Sequence, residues 1–358
     1  MPVSGFNPKK RVTIEDLASA AGVHKSTVSK TLAGKSHASA EVQGRIWALA
    51  KELGYEPDPI AQRLSSREYS KVVCLCSGGL DTGRVTEKIS LLQNSLTDMG
   101  LEAPIYTPSQ SKGHEAAQAA LFRQVRRQRP QAIICSVYAL HQPALAEIEA
   151  YQQEGRIVVA YDLPSPLNCD QVIFDREDNA YQGAKYLLER GHRDIGLLMS
   201  PTNPDLPPRL DTPQSLRFRG LRRALDEFGA AWNPQWLFES APSEQGAMEL
   251  AQKFLAMKHR PTGLCIVNDF VALVFMSEIV RAGVRVPVDV SLIGYDNHPL
   301  AAHCAVPLTS ITQPTEEIVQ SVVELLMARL GGDDSPPHTV TVRGHLIERE
   351  SVAPPLGA

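Results

Sequence analysis

No apolar run in this 358-residue chain approaches the roughly 18 residues of a membrane-crossing helix, and Met1 to Lys10 lacks the apolar centre of an export signal. A cytoplasmic protein with no membrane partner is expected. Cysteine is scarce: the six, at 74, 76, 135, 169, 265 and 304, show no paired metal-ligand spacing and read as reduced core residues. Cys74-Leu75-Cys76 puts two thiols on one strand face, which would hold a metal only if further ligands arrived from elsewhere. Gly78-Gly79 makes no phosphate loop, and neither a Gly-x-Ser-x-Gly elbow nor His-Glu-x-x-His occurs. These absences argue against an enzyme, a bound cofactor or a metal. Short repeats, low-complexity segments and a heptad-bearing tail after Ser351 are also missing.

What is present is a chain of 43% apolar residues, ample for a buried core and long enough for two or three domains. Its charge is unevenly spread. Residues 1 to 68 carry +3, which leaves −7 for the rest of a chain totalling −4. A positive end on an acidic body favours nucleic acid bound through that end alone.

Within that end, Ile14, Leu17, Ala18 and Ala21 recur at helical spacing, and Thr13 followed by Glu15 and Asp16 marks a helix start. A short helix over about Ile14 to Ala20 is expected. Gly22 then permits a sharp turn, and a second helix begins near Lys25. Val28 and Leu32 face inward on it, while Lys25/Ser29 and Ser26/Lys30 form an outer face of donors and short hydroxyls suited to a major groove. A solvated surface would carry the same lysines. Ser39 should cap a third helix, with Val42, Ile46, Leu49, Ala50 and Leu53 as its apolar stripe. Pro57 and Pro59 end it and open a segment through Ala61-Gln62-Arg63-Leu64-Ser65-Ser66, shorter than the roughly 12 residues an isolated helix needs. Such a segment orders only against a partner.

The body alternates strands and helices. Strands are expected at Lys71 to Cys76, Glu102 to Tyr106, Ala132 to Val137 and Ile157 to Tyr161, with helices at Thr86 to Met99, Gly113 to Gln128 and Pro143 to Gln153. A second series has strands near Val172 to Phe174, Ile195 to Met199, Leu237 to Glu239, Leu264 to Val267 and Ser291 to Tyr295. Its helices are Asn179 to Arg190, Gln214 to Phe228, Glu244 to Met257 and Phe270 to Ala282. Repeated βα units imply parallel sheets covered by helices, and this many strands imply two sheets with a cleft between them. Pro201 to Pro213, with five prolines, reads as a loop over the cleft mouth.

Ligands of parallel sheets collect beyond the carboxyl ends of the strands. That rule selects Asp162, Asn268-Asp269 and Asp296-Asn297 on one side and Ser77 and Tyr138 on the other. Each has a plainer reading, because acids and amides after strands often cap the next helix, a role that fits Asp269 before Phe270.

Val12 to Ala18, Ala21-Gly22-Val23, Ser26 to Lys30, Gly54-Tyr55 and Ala61-Gln62-Arg63-Leu64 resemble the headpiece and hinge of the lactose/galactose repressor family of bacterial transcriptional regulators. The resemblance covers nearly the whole chain. It implies an all-α helix-turn-helix headpiece (1–56) and a hinge helix with linker (57–70). A two-lobed α/β effector domain like the periplasmic binding proteins follows (71–358), with parallel sheets. Lobe 1 would be about 71–162 and 312–342, lobe 2 about 163–311 and 343–358, with the helix Thr315 to Leu330 and the strand-like His338 to Ile347 among the late crossings.

The implied partners are operator DNA, a sugar-like small effector and a second copy of the chain, in a homodimer. Lys25, Ser26 and Lys30 fall where the family reads bases, and Leu64 where its hinge wedges a leucine into the minor groove, a kinking device. Thr13, His24, Thr27, Ser29, His37, Ala61 and Ser65 complete the implied DNA surface. Ser77, Tyr138, Asp162, Arg217, Asn268 and Asp296 are the implied effector residues. Arg217 would offer a planar fork, and the two acids would accept from hydroxyls or amines. The competing role for Arg217 is a helix-surface salt bridge.

Three positions depart from the family pattern. His24 stands at a cap usually held by serine, so the recognition helix starts loosely or His24 meets a phosphate. Ala241 replaces an aromatic ring that stacks on the ligand in many relatives, and Ser77 to Asp81 lacks their Asn-Pro-Phe. An ordinary hexose is therefore not the expected effector, and control by a protein co-regulator remains an alternative.

Overall fold

The computed structural model describes residues 12–32, 36, 38–55, 71–80, 83–109, 113–137, 140–162, 167–201 and 212–356. Contacts divide the chain into Met1–Ser70 and Lys71–Ala358. In the first unit α1 (Ile14–Ala21), α2 (Lys25–Leu32) and α3 (Ala40–Glu52) pack around Leu17, Ala21, Val28 and Ile46. Thr13 and Asp16 form a reciprocal capping box at the start of α1, and Gly22 ends it in the left-handed region at φ 64°. Ser39 caps α3 by accepting from the Val42 N–H. Leu53 is the exception to the expected stripe. It sits at the C-cap, where the helix stops turning inward, and is 39% exposed.

The second unit holds two six-stranded sheets. The first runs in the order β11 (Thr339–Val342), β5 (Asp170–Phe174), β4 (Ile157–Asp162), β3 (Ala132–Ser136), β1 (Val73–Ser77) and β2 (Ile105–Tyr106), all parallel. One face is covered by α4 (Gly83–Asp98) and α11 (Thr315–Leu330) through Leu92, Leu96, Ile318 and Val322. On the other lie α5 (His114–Arg127) and α6 (Gln142–Gln153), through Phe122, Val125, Ile148 and Tyr151. Both faces are buried, so β1 reads as an unbroken apolar run, and Cys74 and Cys76 are two of its core positions. Burial pushes the Cys135 thiol beside them up to about 12.

The second sheet runs β12 (Leu346–Ile347), β10 (Thr309–Thr312), β9 (Ser291–Asp296), β8 (Gly263–Ile266), β6 (Ile195–Met199) and β7 (Leu237–Glu239). Only β12 is antiparallel among the described strands. One apolar cluster joins this sheet to α7 (Arg176–Glu189), α8 (Pro213–Glu227), α9 (Glu244–Ala256) and α10 (Asp269–Arg281). Gly220 lets α7 and α8 touch, since a Cβ there would stand 2.1 Å from the Glu177 carbonyl oxygen.

Two expectations need correction. Residues 170–174 were assigned to the second lobe, yet β5 pairs with β4 from Val159↔Asp170 to Asp162↔Ile173 and also with β11. The chain leaves the first sheet after β5, through α7, whose apolar face packs on the second. The strand-like stretch His338 to Ile347 is in fact two strands, one in each sheet, separated by Arg343-Gly344-His345. A Cβ on Gly344 would meet the Thr312 carbonyl oxygen at 2.1 Å, which fixes this crossing close to β10.

Candidate functional site

The headpiece surface is built on α2. His24 precedes it, and its Nδ1 accepts from the Ser26 backbone N–H at 3.3 Å and lies 2.8 Å from the Ser26 hydroxyl. The imidazole thus does the capping expected of serine. Lys25 is exposed and paired with Glu15 of α1, so reaching a base edge would require leaving that partner. Lys30 is exposed and forms no ion pair among the described residues, and Ser29 and Thr27 are half-buried beside it. Thr31, which the sequence reading passed over, is buried and donates to the Thr27 carbonyl at 2.8 Å. Thr13 serves the α1 cap. His37, Ala61, Leu64 and Ser65 lie outside the described residues, as do the expected hinge segment and most of the proline-rich loop.

In the second unit, Asp162 ends β4 and Asp296 ends β9, each at positive φ, 88° and 103°. Non-glycine residues held there cost on the order of 1–3 kcal/mol and cluster at functional sites. Both oxygens of Asp162 are engaged. Lys88 Nζ of α4 donates to Oδ1 at 2.6 Å, and Arg176 Nη2 of α7 donates to Oδ2 at 2.8 Å, while Arg176 Nη1 reaches the Asp162 carbonyl at 2.7 Å. Burial alone would raise the Asp162 carboxyl, but Arg176 and Lys88 outweigh it and hold the group well below the usual carboxylate range.

Arg217, on α8, is half-buried and donates only to the carbonyls of Pro213 and Val267, at 3.4 and 3.3 Å. It forms no ion pair among the described residues, so the salt-bridge alternative is not what it does. Burial, then the neighbouring Arg176, lower its guanidinium to about 10, against the pull of Asp296. Asp296 is raised by burial to about 6 in spite of Arg217, Arg84 and Lys88. Arg176, Arg217, Asn179, Asp296 and Thr312 surround a space of about 10 Å³, room for roughly one water.

Asn268 and Ser77 do not line this space. Asn268 is the cap of α10, accepting from the Val271 N–H at 2.9 Å. The cap role expected of Asp269 is therefore misplaced by one residue. Asp269 is buried and accepts from the Ser310 hydroxyl at 2.8 Å and from the His298 N–H at 2.7 Å. Ser77 spends its hydroxyl in its own turn, donating to the Gly79 carbonyl at 2.7 Å. Tyr138 lies outside the described residues.

Sequence reasoning missed Lys88, Arg176 and Arg84. Lys88 had a signal: it stands four and eight residues before the buried Leu92 and Leu96, on the inner stripe of α4. Arg176 had none, since the first residue after a cap ordinarily faces water.

Among the described residues, no group of three or more potential metal ligands exists, and no helix is long and apolar enough to cross a membrane. Residues 13–58 match the family model described as bacterial regulatory proteins, lacI family, and residues 184–352 match a periplasmic binding protein-like domain. The HTH-type transcriptional repressor PurR of Aliivibrio salmonicida is 28% identical over 343 residues, which cover 95% of this chain and 98% of that protein. The lac repressor dimer bound to operator and the anti-inducer ONPF superposes with a TM-score of 0.77 at 25% identity, over 96% of this chain and all of that one. The CelR–cellobiose complex has the same fold, with a TM-score of 0.68 at 23% identity over 95% of this chain and all of that one. These relatives are transcriptional repressors or regulators.

Proposed function

Since the chain belongs to the lactose/galactose repressor family, we propose that it is a repressor that binds a near-palindromic operator as a homodimer and answers to a small polar effector between its lobes. The observation that carries this reading is one chain with both a helix-turn-helix unit exposing Ser26 and Lys30 on α2 and a cleft where Asp162, Arg176, Arg217 and Asp296 converge. Two headpieces in successive major grooves would read the half-sites, and Leu64 of each hinge would enter the central minor groove. An effector that binds one lobe arrangement better than another shifts the population toward it, and the affinity for the operator moves with it. The effector belongs to the sugars and related metabolites.

The test is selection of duplexes from a random pool by the purified full-length protein, repeated with a metabolite library present. A two-fold-symmetric consensus whose recovery changes with one class of metabolite is expected. Recovery of no consensus in either condition would overturn the reading.

A further inference from the structure

The cleft displays more donors than a neutral sugar requires. Arg84, Lys88, Arg176 and Arg217 converge on it against Asp162 and Asp296, and among the described residues only Arg84 has a further carboxylate partner, Glu87, at 2.6 Å. Asp162, the acceptor a polyol hydroxyl would use, has both oxygens filled by Lys88 and Arg176, whose side chains are 2% and 10% exposed. Arg217 is left with long contacts to carbonyls and, among the described residues, no carboxylate.

We propose that the effector is anchored through an anionic group, a carboxylate or a phosphate, held by the fork of Arg217 with the charge of Arg176 beside it at the floor of the cleft. The inference rests on the effector-responsive reading above and narrows its ligand class. A planar or tetrahedral oxyanion accepts two parallel N–H bonds from a guanidinium, and bringing one to two like-charged arginines relieves their mutual repulsion. That repulsion and burial already disfavour the charge on Arg217. Lys88 and Arg176 hold Asp162 shut against hydroxyl donors, so Asp162 acts here as a positioning residue for Arg176.

Calorimetry on the full-length protein tests this with glucose 6-phosphate and inorganic phosphate in one arm, gluconate in a second, and glucose and ribose as neutral probes. At least one anionic probe should bind more tightly than its neutral counterpart, with affinity falling as potassium chloride is raised. Arg217→Gln should weaken that probe by at least about tenfold, and because Arg217 has no ion pair to lose among the described residues, the melting temperature reports whether the variant folds. Should it not fold, the salt dependence and the anion-to-neutral ratio of the unaltered protein still decide. Binding of neutral probes alone, or of no anionic probe, overturns the proposal. Operator selection run beside it separates the two readings: a consensus with only neutral binding sinks the anion, whereas anion binding without a consensus sinks the regulator.

Discussion

Arg84, on the first lobe, donates through Nη2 to the main-chain oxygen of Asn297, on the second, at 2.9 Å, and to that of Asp296 beside it. Glu87 steadies the same guanidinium from one turn along α4. These bonds run from α4 to the carboxyl end of β9, so they tie one lobe to the other beside Asp296. Arg84→Ala should open the cleft and lower stability by about 1.5–3 kcal/mol, the range for hydrogen bonds to a charged group. Small-angle scattering and urea unfolding check this. An unchanged radius of gyration would mean that the contact does not hold the lobes.

Asp269 sets a pH dependence. It is fully buried between Ser310 and the His298 N–H, near Asp296 and Arg349, and burial raises its carboxyl to about 7 despite those hydrogen bonds. A group raised in the folded state binds its proton there more readily than in the unfolded chain, so its stabilisation is present at low pH and declines as pH rises from about 4 toward 7. Asp296, raised to about 6, adds the same sign over a shorter window, while Asp162 acts oppositely, only as pH falls below the ordinary carboxylate range. Buried His192, whose imidazole is lowered by burial, acts in the opposite sense over part of this range, so the reading is the difference between two proteins: from pH 5 to pH 7.5 the urea midpoint of the parent should lose more, or gain less, than that of Asp269→Asn. In Asp269→Asn the amide can still accept from His298 and donate to Ser310, so only the Asp269 part of the slope is removed. A variant as pH-sensitive as the parent would refute the assignment.

Gly220 links packing to the candidate site. On a free helix Gly→Ala stabilises by roughly 1 kcal/mol. Here the added carbon would sit 2.1 Å from the Glu177 oxygen and 2.8 Å from the Tyr181 nitrogen, both backbone atoms that cannot swing aside. Gly220→Ala should instead destabilise by about 1–3 kcal/mol, and by pushing α8 off α7 it should displace Arg217, one turn earlier. A melt as stable as the parent's would show that the two helices separate freely.

Much of this was legible in the chain because it depends on local rules. Capping by Thr13 and Ser39, the Gly22 turn and the Leu17–Val28–Ile46 core follow from spacing. The rule for strand ends found Asp162 and Asp296, which do converge near Arg217. It could not tell that Asn268 rather than Asp269 would cap α10, because both are competent caps and the choice falls to Ser310 and His298, far along the sequence. Nor could it assign β5, whose sheet is decided by its pairing with β4 and β11. The cation partners of Asp162 come from two helices, one 74 and one 14 residues away, so only the tertiary fold brings them together.

The headpiece lysines should separate by their partners. Lys30 is exposed and forms no ion pair among the described residues, so a phosphate would meet it at no cost in broken contacts, whereas Lys25 must first leave Glu15. If both contact the DNA backbone, Lys30→Ala should weaken binding to any duplex similarly and reduce the slope of log affinity against log salt by about 1. Glu15→Gln should strengthen binding, because it frees Lys25 and removes a negative charge facing the polyphosphate. Ser26→Ala, by contrast, should cost selected duplexes more than random ones, since the hydroxyl beside His24 can address a base edge only where the sequence offers a partner. Fluorescence anisotropy over a range of salt concentrations measures all three. Should Glu15→Gln bind less tightly than the parent, the Glu15–Lys25 pair serves to orient α2 against α1, and Lys25 is a structural residue of the headpiece.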